Sequence, residues 1–424
     1  MKIKKIEIEN FKSFRSVSAE IRDFQIILGA NAAGKSNFVE ALNFLREIEN
    51  QGLENAISLQ GGIEYLTNLR EGKGKNVSIA VSLAEPNGFR RRARTAHDVF
   101  LEYFIESVTY RIAIATRQDD HTTFIPKESM DLNIRIRNVA SKRQLSFDDQ
   151  SESLMTVGLI VDPENKKHSM NRISVSHPEK TGVFNLSEVF PEQLFDVEFP
   201  DNKSMLESPA ISYLFNGKIF DGVVAYDFEP KTSKRATRIS SRADLETDGN
   251  NASIVLKNIL ANPREYQRFS NLIRDLLPFV DGLEMAPTMD KSISFKIREI
   301  FAKEKYLPSI LVSDGTINVI TLIIALFFQE KDVLIFEEPE RNLHPALISK
   351  IIQMMRDRSR SKQIIVTTHS TEMIRNAKID EILFVSRDQS GSSIFTLPSE
   401  KKEVRKFLEN EIGLDELYIS NLLS

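Results

Sequence analysis

Residues 29–36 read GANAAGKS, which satisfies G-x-x-x-x-G-K-[ST] between a predicted strand and a predicted helix. The apolar run Phe24 to Leu28 feeds the loop. Beyond it, over 37–47, Phe38, Val39, Leu42 and Leu45 recur at helical spacing. Glycines Gly29 and Gly34 let backbone N–H groups wrap phosphate oxygens, and the helix N-terminus adds its positive dipole end. Lys35 supplies a point charge for the β- and γ-phosphates of a nucleotide, and Ser36 offers a hydroxyl to Mg²⁺.

Such a loop needs an apolar strand ending in acids. VLIFEEPE (333–340) provides one, with Glu337 placed to hold Mg²⁺ and Glu338 to orient an attacking water. ERNLHP (340–345) lies where a loop would leave that strand. LVSDGT (311–316) puts Ser313 and Gly315 just before an apolar helix, a second helix N-terminus suited to phosphate. IIVTTHS (364–370) is an apolar strand ending in Thr367, Thr368 and His369, at the strand end where open α/β sheets bind ligands.

Around these motifs the chain reads as an α/β protein. Residues 3–9, 76–84 and 99–115 alternate like antiparallel strands, the last predicted as a hairpin. From 86 to 240 the pattern turns irregular, with short strands and polar loops. Two basic runs lie there, FRRRAR (89–94) and KTSKRATR (231–238). Ser253 to Leu260 and Tyr266 to Leu277 read as helices, then strands near 283–286 and 292–298. Short, fully apolar strands at Val333–Phe336, Ile364–Val366 and Ile382–Val385 alternate with helices, the pattern of a parallel sheet covered on both faces. An amphipathic helix carrying Val404, Phe407 and Leu408 closes the chain. No heptad repeat marks a long coiled coil.

Composition sets the remaining bounds. Of 424 residues, 41% are apolar and 27% charged, which excludes a disordered chain. A net charge of −4 excludes a molecule that is basic overall. Zero cysteine excludes disulfides, thiol nucleophiles and cysteine-ligated metals. The most apolar segment, Ile317 to Phe328, falls short of the roughly 20 residues that span a bilayer. No signal-peptide core is evident, so a cytoplasmic location without membrane contact is expected.

IENFKSF (8–14), GANAAGKSN (29–37), LETDGNNAS (245–253), SDGT (313–316), FEEPERNLHP (336–345) and TTHS (367–370), in that order, resemble the ABC-type ATPase heads of the SMC and RecF group. Within that group the chain is most similar to compact ATPases related to the overcoming-lysogenization-defect (OLD) proteins. The resemblance covers roughly 1–85 and 240–395. It implies an ABC-type P-loop head with a mixed sheet and an antiparallel β lobe. The head is split into 1–85 and 241–424 by an inserted α+β region at 86–240 that presents a partner surface.

The same resemblance implies ATP and Mg²⁺ as ligands and two heads that sandwich the nucleotide. Gly29, Asn31, Gly34, Lys35, Ser36 and Asn37 would bind it in one head, and Ser313 and Gly315 would reach it from the other. Ser36, Glu337 and Gln60 would serve the metal. Glu338, Lys35 and His369 would be catalytic, and Lys12 and Phe14 would flank the adenine. Glu337 stands where many relatives carry aspartate, and SDGT replaces the signature of transporters. After His369 the sequence holds no Asp-x-Asp pair of the OLD-type nuclease domain, so no nuclease activity is expected. Relatives of this form imply a homodimeric or larger ATP-driven switch that controls a separate effector, a nuclease or toxin, in anti-phage defence. The alternatives are a RecF-like clamp with DNA as partner and a scaffold that hydrolyses ATP slowly or not at all.

Overall fold

The computed structural model describes residues 1–424 except 72–73, 95–99, 118–121, 140–151, 162–167, 176–199, 201, 241–243, 303, 402–403, 405–412 and 420–424. Its chain opens with strands β1 (Lys2–Phe11), β2 (Phe14–Glu20) and β3 (Phe24–Leu28), followed by helix α1 (Lys35–Gln51). Two compact units emerge. Unit 1 comprises 1–22, 40–222 and 387–395, and unit 2 comprises 23–39, 223–386 and 396–424.

Unit 1 is built on an antiparallel sheet. Strands β4 (Val77–Arg94), β5 (Phe100–Thr116), β6 (Thr123–Val139), β7 (Glu152–Val161) and β8 (His168–Val175) follow one another in a meander, in the order β2-β1-β4-β5-β6-β7-β8. The hairpin expected at 99–115 is a single strand of 17 residues, β5, with irregularities between Ile105 and Ser107 and between Ala113 and Ala115. The short strands expected from residue 86 are likewise replaced by long ones. Pro86, Asn87 and Gly88 look like a turn in the sequence, but the ladder absorbs them as a register shift between Ala84 and Phe89, and β4 continues. Helices α2 (Leu53–Leu59), α3 (Ile63–Leu66) and α4 (Pro209–Leu214) also belong to this unit.

Unit 2 centres on five parallel strands: β16 (Ile382–Arg387), β3, β15 (Gln363–Thr368), β14 (Val333–Glu337) and β9 (Val223–Tyr226), side by side in that order. Their residues are almost entirely buried, as the continuous apolar runs require. Strand β9 was not marked by the sequence pattern, because four residues flanked by polar loops carry too little periodicity. Helices α5 (Pro230–Ser233), α6 (Ala252–Ala261), α7 (Pro263–Leu276), α8 (Asp314–Phe328), α9 (Pro345–Arg358) and α10 (Thr371–Arg375) join this sheet in unit 2. A second small sheet there pairs β10 (Thr237–Arg238) with β12 (Ser292–Glu299), and β12 with β11 (Val280–Pro287) and β13 (Tyr306–Pro308).

Helix α8 explains the apolar segment that fell short of a membrane span. Its residues 316–326 are all buried, and at about 1.5–3 kcal/mol for each large aliphatic side chain they anchor the core. Among the described residues no helix is long and apolar enough to cross a membrane, and the longest helix, α1, has 17 residues. The closing helix expected around Phe407 and Leu408 lies outside the described residues. A short helix, α11 (Leu414–Ile419), is described beyond it.

Candidate active site

Lys35 opens α1 directly after the loop from β3. Gly34 takes φ 118°, a conformation that side chains rarely adopt, and its carbonyl accepts the N–H of Phe38 at 3.1 Å. Gly29 donates its N–H to Thr368 of β15. Asn31 is exposed at the loop tip, and Asn37 sits half-buried in the first helical turn. The Lys35 ammonium is only 7% exposed and donates to the carbonyls of Gly29 at 2.8 Å and Ala30 at 3.1 Å. Two of its three N–H groups are thus used, and one remains for a phosphate oxygen. Burial pushes Lys35 below the ordinary lysine value, while Glu338, Glu340 and Glu337 pull it back.

Ser36 and Glu337 meet at the C-terminal end of β14, where the serine hydroxyl donates to Glu337 Oε2 at 2.9 Å. A hydroxyl and a carboxylate converging on one point are hard oxygen donors that fit Mg²⁺, which keeps its waters and takes phosphate oxygens as further ligands. Among the described residues no three His, Cys, Asp or Glu side chains form a metal cage. The donor set therefore suits an ion delivered with a polyphosphate.

Glu338 follows immediately, in a left-handed conformation (φ 44°) that turns its side chain away from the strand's alternation. Its amide donates to the Thr367 carbonyl at 2.9 Å. One carboxylate oxygen lies 2.7 Å from His369 Nδ1, and the other accepts Arg341 Nε at 2.9 Å. Burial disfavours the charged form, but the bonds from Arg341 and His369 outweigh it, so Glu338 lies below the ordinary carboxylate range. Arg341 is itself held by Asp227, just past β9, at 2.8 Å. Glu340 is more deeply buried. It accepts the Thr368 hydroxyl, its other oxygen is buried without a hydrogen-bond partner, and burial raises it above the ordinary value.

Lys35, Ser36, Glu337, Glu338 and His369 are thus brought together from three adjacent parallel strands. Arg341, Asp227, Glu340 and Thr368 complete the cluster; the first, third and fourth lie in the quoted motifs without an assigned task, and Asp227 lies outside them. Arg341 had a usable signal, since a cation three residues after Glu338 can fold back onto it.

Ser313 and Gly315 lie at the other expected place, the N-terminus of α8. Ser313 caps that helix by accepting the N–H of Thr316 at 3.2 Å. A Cβ on Gly315 would stand 2.4 Å from the Asn342 carbonyl, so glycine is required for this approach. Asn318 of α8 donates to the carbonyls of Pro339 and Arg341, at 3.0 and 2.8 Å. Helix α8 therefore backs directly onto the loop that follows Glu338.

One expectation changes, that of Phe14 beside an adenine. Phe14 is fully buried, its ring 5.4 Å from Phe395, and no face is open to an adenine. Lys12 pairs with Glu40 and donates to Gln60 Oε1 at 2.8 Å, all within unit 1. Lys234, from the second basic run, donates to the Val312 carbonyl and to Asp314. It fastens the start of α8. The side chains of the first run, 89–94, lie outside the described residues.

A family model described as an AAA ATPase domain matches residues 1–374. No curated protein matches the chain. Among solved structures, an SMC head crystallised with the C-winged helix domain of ScpA is similar over 93% of this chain and 98% of its own, at 16% identity and a TM-score of 0.51. The SMC head domain of Thermotoga maritima is similar over 94% and 99%, at 13% identity and a TM-score of 0.42. At the identity of the first, the likeness speaks to the fold, which is the mixed α/β architecture of an SMC-type ATPase head.

Proposed function

Because the chain belongs to the AAA ATPase domain family, we propose that unit 2 binds ATP on the 29–36 loop and hydrolyses it with Glu338 as the carboxylate that orients water. The observation that supports this most is the setting of Glu338, held ionised between Arg341 and His369 beside the Ser36–Glu337 pair. Phosphoryl transfer is mainly a matter of positioning and electrostatics, and each of these groups has a task in it. Lys35 neutralises phosphate charge, and Gly29 and Gly34 leave the loop backbone open to phosphate oxygens. His369 and Arg341 fix both carboxylate oxygens of Glu338, so that its orientation is set before the substrate arrives. With Glu337, Glu338 and Glu340 around one lysine, the site is acidic. Mg²⁺, held by Ser36 and Glu337, would supply the positive charge that a polyphosphate needs there.

Ser313 and Gly315 would complete the site of a second copy, giving an ATP-dependent homodimer. The closed state would signal to a separate effector, a nuclease or toxin, in anti-phage defence. The motif resemblance set out above, SDGT included, supports this step.

ATPase rate against protein concentration tests the assembly. A specific rate that climbs steeply with concentration, with activity restored by mixing inactive Lys35→Ala and Ser313→Arg proteins, is the expected result. A specific rate independent of concentration, with no restoration on mixing, would remove the two-copy site.

A further inference from the structure

Unit 2 holds a cavity of about 600 Å³ at the N-terminal ends of β14 and β15, where Asp332 precedes one strand and Lys362 the other. These are the strand ends opposite Glu337 and Thr368. The floor is Phe327 and Phe328, the last two residues of α8. Arg268 of α7 lies over Phe328 at 5.2 Å and over Phe327 at 6.0 Å, while Arg358 of α9 lies over the same Phe327 at 5.7 Å. Two guanidinium groups thus share one ring, and Lys362 lines the same cavity.

Arg358 and Lys362 are anchored to neutral groups. Arg358 Nε donates to the Leu326 carbonyl at 2.9 Å, and Lys362 donates to the Gln329 carbonyl. Among the described residues neither forms an ion pair with a carboxylate, and Arg268 has only a long contact of 3.7 Å to Glu265. Burial lowers Lys362 to about 8; Arg358 and Arg268 add to the shift, and Asp332 and Glu330 oppose it. Burial and then Arg268 push Arg358 down as well. Glu265, Glu330, Asp332 and Lys331 line the cavity as well; within it Arg268, Arg358 and Lys362 act on one another as like charges, and an anion seated among these three would relieve that cost. The volume is that of a small-ligand site, and guanidinium groups suit phosphate oxygens.

We propose that this cavity binds a small phosphorylated anion, gripped by Arg268, Arg358 and Lys362 above Phe327 and Phe328. None of these residues belongs to the nucleotide site, so the proposal stands independently of the ATP reading.

The test is calorimetric titration of the full chain carrying Lys35→Ala, which silences the phosphate loop. Inorganic pyrophosphate is the inorganic probe and fructose 1,6-bisphosphate the organic one. Saturable binding of one equivalent of either is expected, with the tighter of the two giving the ligand class. Near pH 8, binding should be accompanied by net proton uptake as the anion restores the charge of Lys362, read from titrations in two buffers. Adding Arg358→Gln and Lys362→Gln should weaken binding by more than about tenfold. If that protein does not melt cooperatively, Arg268→Gln, at an exposed position, serves instead and should weaken binding several-fold. Absence of saturable binding to the Lys35→Ala protein, or binding unchanged by Arg268→Gln, overturns the proposal.

Discussion

Raising the pH should loosen unit 1 through one buried carboxyl group, Glu128 of β6. It is 1% exposed and accepts from the Tyr110 hydroxyl, the Ser204 hydroxyl and, at 2.8 Å, the Met205 N–H. Burial is the main influence and raises it from 4.5 to about 7, against the pull of those three bonds and with a further push from Glu207. Protonation is accommodated because both hydroxyls can rotate to accept. The folded state therefore keeps a proton that the unfolded chain releases from about pH 4.5 upward. The stabilisation is complete below pH 4.5 and is lost as pH rises through 7. A shift of this size corresponds to about 3 kcal/mol in full, of which about 2 kcal/mol falls between pH 5.5 and 8.5. Glutamine mimics the protonated acid, with its oxygen toward Met205 and its amide toward the two hydroxyls. Urea denaturation followed by circular dichroism should show the wild type losing about 2 kcal/mol more than Glu128→Gln across that range. Parallel profiles for the two proteins would mean that Glu128 is charged in the folded state, and the reasoning would fail.

Other substitutions probe the nucleotide site and its supports. Gly315→Ala would drive a Cβ into the Asn342 carbonyl; a loss of about 1–3 kcal/mol in thermal unfolding and a fall in ATPase rate are expected. Lys234→Met removes the bonds to Val312 and Asp314 and should cost about 1–3 kcal/mol, measured by thermal unfolding. In Arg341→Ala the carboxylate of Glu338 loses one of the bonds that hold it low, so the acidic limb of the ATPase pH profile should move to higher pH. An unmoved limb would show that Arg341 does not tune Glu338.

What the sequence made legible follows from where periodicity and chemistry coincide. GANAAGKS, VLIFEEPE and IIVTTHS each combine a buried strand with a distinctive polar end, and the structure brings all three to the same strand ends of one parallel sheet. Strand β9 was hidden because VVAY is short and sits among polar loops. The pairing of Arg341 with both Glu338 and Asp227 depends on the left-handed turn at Glu338, and a propensity reading does not anticipate φ > 0 at a glutamate. Phe14 was expected at an adenine only through the family resemblance, and neither a motif match nor a basic run tells which side chains the fold buries or bonds. Phe14 packs against Phe395, and Lys234 bonds to Asp314.

The central claim is that Glu338 orients the attacking water at a nucleotide held by the 29–36 loop. Single-turnover hydrolysis of ATP by Glu338→Gln, alongside equilibrium ATP binding, tests it most directly. The account predicts hydrolysis slower by about 10²–10⁴, with ATP affinity within a few-fold of the wild type. Hydrolysis within threefold of the wild-type rate, at undiminished ATP occupancy, would contradict it.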